Sequence, residues 1–263
     1  MSTIVAESGA QLVARISSEN RPTLENLCSD LFPDNGPPPG RIVEITGESG
    51  TGKSHFLMEI MARAILPTEY GGRDAHVIFF DLDCKFWIIR FLHILEKIAC
   101  ASNPDSDEKK TKEVIEKCLN GLFIFNCFSP GEYEGALQEM EELLTSDSSI
   151  ALVTVGTIGA FYWVECTEEK PIKMTTYYKK ALQRFRKVSN DYKVVFAFTR
   201  PDIFAPDVEK VPTTDADSPD YRIRLISHCT EEARGFEAET DARGQSYRTL
   251  FNIDNFGIKF LKL

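Results

Sequence analysis

Gly47-Glu48-Ser49-Gly50-Thr51-Gly52-Lys53-Ser54 has the G-x-x-x-x-G-K-[ST] spacing of a phosphate-binding P-loop. Each residue type has a chemical reason. The glycines let successive backbone N–H groups turn inward into an anion nest. Lys53 is expected to reach the β- and γ-phosphates, and the Ser54 hydroxyl to sit on Mg²⁺. A helix starting at the loop points its positive end at the same phosphates.

A hydrolysing P-loop protein also needs a carboxylate for Mg²⁺, a group that positions water, and a residue that stabilises charge. Four apolar residues followed by an acid occur at Val77-Ile78-Phe79-Phe80-Asp81. In a kinase-like or GTPase-like layout Asp81 would serve. The run Val153-Thr154-Val155 ends instead on Gly156 and offers no acid. Which strand lies beside the P-loop strand therefore decides the mechanism.

The elements that must position these groups follow in order. Arg41–Thr46 reads as a strand entering the loop, and His55–Leu66 as an amphipathic helix leaving it, stopped by Pro67. Val77–Phe80 is a continuous apolar run, as a buried parallel strand requires. Phe86–Ala99 has helical periodicity, and Asn103–Lys112 reads as a charged surface connection. Leu122–Cys127, Ile150–Val155 and Lys193–Phe198 read as further strands, and Gly135–Leu144 and Thr175–Ser189 as helices. The alternation predicts an α/β fold with a central, mostly parallel sheet. Beyond it, Pro201–Asp220 reads as a long acidic loop. Arg222–Cys229, Ser246–Asn252 and Gly257–Leu261 read as strands that extend one sheet edge in antiparallel fashion, with a tight turn at Asp254-Asn255. A short helix is expected over Ala10–Ile16. The expected organisation is an N-terminal helix and linker over 1–40 and one core domain over 41–263.

Composition bounds the rest. The 263 residues, 43% of them hydrophobic, suffice for one α/β domain with a proper core. Met1–Ile16 has no apolar run and does not read as a signal peptide, and no segment reads as a membrane span. Seven widely spaced cysteines without a C-x-x-C pair suit reduced thiols, and four scattered histidines make no zinc cluster. The formal net charge of −10 argues against nonspecific binding to nucleic acid through a broad basic surface.

Several motifs in fixed order carry a resemblance. They are Ala6-Glu7-Ser8-Gly9 with Leu12-Val13-Ala14-Arg15, the P-loop, Ile65-Leu66-Pro67 with Gly71-Gly72, Phe80-Asp81-Leu82-Asp83, Ala160-Phe161-Tyr162-Trp163, and Asn190-Asp191-Tyr192. Over about three-quarters of its length the chain resembles the RecA-like recombination proteins, specifically the smallest of the eukaryotic recombinase paralogues. The resemblance implies a RecA-type sheet without the N-terminal helical domain of longer members. It implies a nuclear role in homologous-recombination repair and a hetero-oligomer with other recombinase paralogues. It further implies contact with the strand-exchange recombinase, and with single-stranded DNA through the complex, away from any membrane.

The same resemblance assigns residues. It implies that ATP and Mg²⁺ are held by Gly47, Glu48, Ser49, Gly50, Thr51, Gly52, Lys53, Ser54 and His55, with Arg90 stacking on adenine. Asp83 stands where a catalytic glutamate belongs and is one methylene shorter. Gly156 stands where the Mg²⁺ aspartate belongs, and Arg200 where a glutamine senses the γ-phosphate. Three departures in one hydrolytic apparatus imply nucleotide binding without efficient turnover. The DNA-contacting loops would be Val164–Lys173, of mixed charge, and the acidic loop, which would repel a phosphate backbone. The expected function is a nucleotide-binding structural subunit that supports recombinase filaments. The rivals are a DNA-stimulated ATPase using Asp81 or Asp83, and a small-molecule kinase using Asp81.

Overall fold

Ile42–Gly47 is buried at every position, because as strand β1 it sits inside the sheet with helices over both faces. The structure is a computed structural model and describes residues 8, 9, 12, 13, 21–32, 35–104, 106–168, 172–201, 218–229, 234–242, 245–254 and 256–261. After β1 come α1 (Lys53–Ile65), β2 (His76–Asp81), α2 (Ile88–Ser102), α3 (Glu108–Cys118), β3 (Leu122–Asn126), α4 (Pro130–Ser146) and β4 (Ile150–Val155). These are followed by α5 (Tyr162–Glu168), α6 (Met174–Tyr192), β5 (Val195–Pro201), β6 (Tyr221–Cys229), β7 (Arg234–Ala242), β8 (Gln245–Asp254) and β9 (Gly257–Leu261).

The strands form one sheet in the order β3-β2-β4-β5-β1-β6-β7-β8-β9. From β3 through β6 all neighbours are parallel, and β6 to β9 are antiparallel to one another. Side chains alternate across this sheet with the strand period of two. Val43, Ile45, Val77, Phe79, Leu152 and Ala197 face α1 and α2, meeting Phe56, Ile60, Phe91 and Ile94. Ile42, Ile78, Phe80, Val153, Phe196 and Phe198 face α4 and α6, meeting Met140, Leu144, Leu182 and Phe185. Two covered faces are why the parallel strands read as unbroken apolar runs.

Several elements depart from their sequence reading. Part of the stretch taken as a charged connection is α3. Asp107 caps it, Glu108 and Lys112 pair one turn apart at 2.7 Å, and only Thr111 and Ile115 are buried. One thin apolar line on a charged helix leaves little periodic signal. Helix α4 begins at Pro130 rather than Gly135, since the Ser129 hydroxyl accepts from the Glu132 N–H at 3.2 Å. Strand β7 lay unread between two recognised strands. Its inward residues are Phe236, Ala238, Thr240 and Ala242, which make a weak apolar alternation. The first tail strand, β6, pairs parallel to β1, not antiparallel, with Ile45 opposite Ile223. Val164–Glu168, read as the start of a loop, belongs to α5.

Leu12 and Val13 are helical and exposed, while the remainder of the helix expected over Ala10–Ile16 lies outside the described residues. Residues 202–217 of the acidic loop and Asn255 of the hairpin turn also lie outside them. Within the stretch assigned to the N-terminal linker, Leu24, Leu27, Leu31 and Phe32 are buried in the core. Arg21 fastens that stretch to the end of α4, donating to the carbonyls of Leu144, Asp147 and Ile150.

Candidate nucleotide-binding site

The P-loop turn closes on backbone that only glycine adopts without strain. Gly47 has φ +145°, and a Cβ there would lie 2.5 Å from the Leu225 carbonyl oxygen. Gly52 has φ +96°, and a Cβ there would lie 2.3 Å from Ile253 Cδ1. Strands β6 and β8 thus press against the loop, so the C-terminal extension of the sheet forms part of the site. The Thr51 hydroxyl donates to the Glu48 carbonyl at 2.9 Å and ties the loop across its base. Lys53 Nζ donates to the carbonyls of Gly47 and Glu48, each at 2.7 Å.

These residues open into a cleft of about 1230 Å³. Of the predicted nucleotide set, Gly47, Glu48, Ser49, Gly50, Gly52, Lys53, Ser54, His55 and Arg90 all line it, as does Asp83. Thr51 turns inward and is buried. Arg90 stands over the Trp87 ring at 5.7 Å, which makes a planar, cationic wall at one side of the cleft. His55 Nε2 is buried without a hydrogen-bond partner among the described residues. Burial, with Arg90 nearby, pushes the His55 pKa down, so the ring is neutral. A nest of N–H groups, a lysine at its mouth, a stacking wall and an orphaned imidazole nitrogen fit a nucleoside polyphosphate.

The sheet order answers the question of the neighbouring strand. Strands β5 and β6 flank β1, whereas β4 is one strand further away and β2 two. The carboxylate of Asp81 is buried and accepts from the backbone N–H groups of Lys85 and Phe86 at 3.2 and 3.1 Å. It pins the turn after β2. Asp83 reaches the cleft, but its Oδ2 accepts from Lys85 Nζ at 2.9 Å and from the Thr157 hydroxyl at 3.0 Å.

Gly156 follows β4, donating its N–H to the Phe80 carbonyl at 2.9 Å and accepting from the Thr199 hydroxyl. It supplies no carboxylate, and no group of three metal-ligating side chains occurs among the described residues. For Mg²⁺ the cleft offers Ser54 and the tethered Asp83. A Cβ at Gly156 would sit 3.4 Å from the Phe80 oxygen and 3.6 Å from Asp83 Oδ1, which are ordinary contacts. The Cβ of Gly156→Asp therefore has room, but its carboxylate joins that of Asp83, so without Mg²⁺ the variant should lose roughly 1 kcal/mol of stability to like-charge repulsion. It should also tighten Mg²⁺-dependent nucleotide binding by adding a second acidic oxygen donor. Thermal melts and calorimetry across a Mg²⁺ series test both outcomes.

Arg200 lies elsewhere. Along β5 the alternation turns Thr199 to the cleft and Arg200 to the opposite face, beneath α6. There its Nε donates to Glu44 Oε1 at 2.6 Å and its guanidinium stands 5.6 Å from the Tyr178 ring. Tyr178 donates its hydroxyl to the same Glu44 oxygen at 2.7 Å, and Arg222 approaches the other oxygen at 3.5 Å. Burial and Glu44 push the Tyr178 pKa up, so the phenol stays protonated as a donor. The arginine expected at a phosphate-sensing position is thus a buried structural cation.

Sequence reasoning missed Lys85, Trp87, Thr157 and Thr199 in the cleft and Glu44 beneath it. Glu44 had a visible signal, being an acid in an otherwise apolar buried strand. Of the two loops considered for DNA, Val164–Glu168 is helical, and residues 169–171 and 202–217 lie outside the described residues.

Comparison with known proteins agrees with this geometry. The family described as Rad51 matches residues 30–220. The mouse (Mus musculus) DNA repair protein XRCC2 is 33% identical over 199 residues, spanning 74% of this chain and 68% of that protein. The Arabidopsis thaliana DNA repair protein XRCC2 homolog is 24% identical over 216 residues, covering 67% of this chain and 57% of that protein. The Arabidopsis thaliana DNA repair protein RAD51 homolog 2 is 43% identical over 127 residues, covering 45% of this chain and 33% of that protein.

Proposed function

The chain belongs to the Rad51 family, and on that premise we propose that it is a nucleotide-binding structural subunit of a recombinase-paralogue complex in homologous-recombination DNA repair. One contrast carries the reading. The phosphate cradle is complete from Gly47 to Ser54, while the hydrolytic side has Gly156 without a carboxylate and, in Asp83, an acid one methylene shorter than glutamate and held by the Thr157 hydroxyl. ATP is the ligand and Mg²⁺ its counterion, with Lys53 and Ser54 meeting the phosphates and Arg90 the base. When bound, the metal neutralises phosphate charge. The chain's own residues hold and orient the nucleotide.

The protein acts in the nucleus beside other recombinase paralogues and supports the strand-exchange recombinase on single-stranded DNA indirectly. A helix and linker over 1–40 precede one core domain over 41–263, and the described part of the linker packs on that core. A DNA-stimulated ATPase is the second reading, favoured by Asp83 lying in the cleft with Ser54. The sheet order and the tethered carboxylate of Asp81 speak against a kinase.

Affinity purification from cells, followed by identification of the co-purifying subunits, tests the assembly. Recombinase paralogues in stable stoichiometry support it, and tight DNA binding by the lone chain with no paralogue recovered overturns it. Turnover on the order of 1 s⁻¹, abolished by Lys53→Ala, would move the chain to the ATPase reading.

A further inference from the structure

We propose that Lys85 is a second phosphate-directed lysine, which makes the cleft prefer a nucleoside triphosphate over the diphosphate without hydrolysis. The proposal rests on the nucleotide-binding reading above. Its basis is the turn that follows β2. Asp81 grips the backbone N–H groups of Lys85 and Phe86 with both carboxylate oxygens. Cys84 adopts a left-handed conformation, φ 53°, which reverses the chain so that Asp83 and Lys85 both face the cleft. The strain of a non-glycine residue at positive φ is held by that buried carboxylate.

The outcome is a lysine whose base is fixed and whose amine is mobile. Its side chain is 72% exposed and meets Asp83 at 2.9 Å. An exposed pair of this kind is worth little, so the amine is readily given up to a more highly charged partner. Lys85 also lines the recess that contains Ser54 and Gly156, on the metal-facing side of the cleft. The Ser hydroxyl of a P-loop serves the ion that bridges the terminal phosphates. A cation on the Ser54 side therefore meets the charge that distinguishes tri- from diphosphate. The same lysine neutralises Asp83 while the phosphate is away.

Calorimetry of ATP and ADP binding to the full chain in its purified complex tests the proposal. Because the Lys85 side chain is exposed, Lys85→Met should leave the melting temperature unchanged. It should weaken ATP binding at least about tenfold, the loss expected for one hydrogen bond to a charged group, and ADP binding less than about twofold. Lys85→Arg, which keeps the charge, should retain most of the preference. Equal effects of Lys85→Met on both nucleotides, or no effect on either, overturn the proposal. Failure of the wild type to bind any nucleotide overturns the nucleotide-binding reading itself, a different and recognisable result.

Discussion

Glu44→Ala should destabilise the protein by about 3–5 kcal/mol, the range for removing one partner of a buried ion pair. Glu44 is fully buried and accepts from Arg200 Nε at 2.6 Å and from the Tyr178 hydroxyl at 2.7 Å, while Arg200 itself is 4% exposed. Truncation leaves a guanidinium and a phenol facing a void in a dry face of the sheet, a large penalty for charged and polar groups. In a chain of this size that corresponds to a fall in melting temperature of about 10 °C.

Glu44→Gln keeps an oxygen for both donors and should cost less. The double replacement Glu44→Leu with Arg200→Met should be less damaging than the sum of its parts, because a buried pair exchanged for packed apolar groups is often neutral. Thermal melts of the single and double variants check this. Additive losses would mean that Arg200 draws its stability from elsewhere.

Lys53→Ala should weaken ATP and ADP alike by about 100-fold, from the roughly 3 kcal/mol upper range of a charge-assisted hydrogen bond. The wild-type amine rests on the carbonyls of Gly47 and Glu48, so its position at the loop mouth is preset. Lys53→Arg should also bind poorly, since a planar fork cannot replace a compact point charge in this cradle. Isothermal titration with each nucleotide decides the matter. A loss confined to ATP would shift the diphosphate contact away from Lys53 and weaken the P-loop assignment.

The parts legible in the sequence are those whose residue types are themselves the constraint. The P-loop could be read because glycine at positive φ and a lysine beside a serine have a narrow set of uses. Ile150–Val155 was read with its boundaries because a strand buried on both faces is an unbroken apolar run. Other parts depend on partners distant in the chain. Nothing local distinguishes Arg200 as buried, because its acceptor, Glu44, is 156 residues away. Counting the strand period from Phe198 would have turned Arg200 away from the cleft. The start of α4 has a local signal in Ser129-x-x-Glu132, the spacing of a capping box. Strand β7 carries acids at Glu237, Glu239 and Asp241, which suppress strand propensity locally. Its place is set by β6 and β8 on either side, a tertiary effect.

The position of β1 has a consequence for how the molecule is made. Its ladder partners are Phe196–Pro201 and Tyr221–Leu225, so the strand that carries the P-loop is completed only after most of the chain exists. At synthesis rates of about 5–20 residues per second, the wait from β1 to β6 is roughly 10–40 s. Through that interval an apolar strand waits without its ladder partners, as aggregation-prone segments do. Pairings of such sequence separation also close slowly once available. Newborn chains should therefore lean on chaperones, and protease-resistant structure around the cleft should appear only in nascent chains that extend past β6.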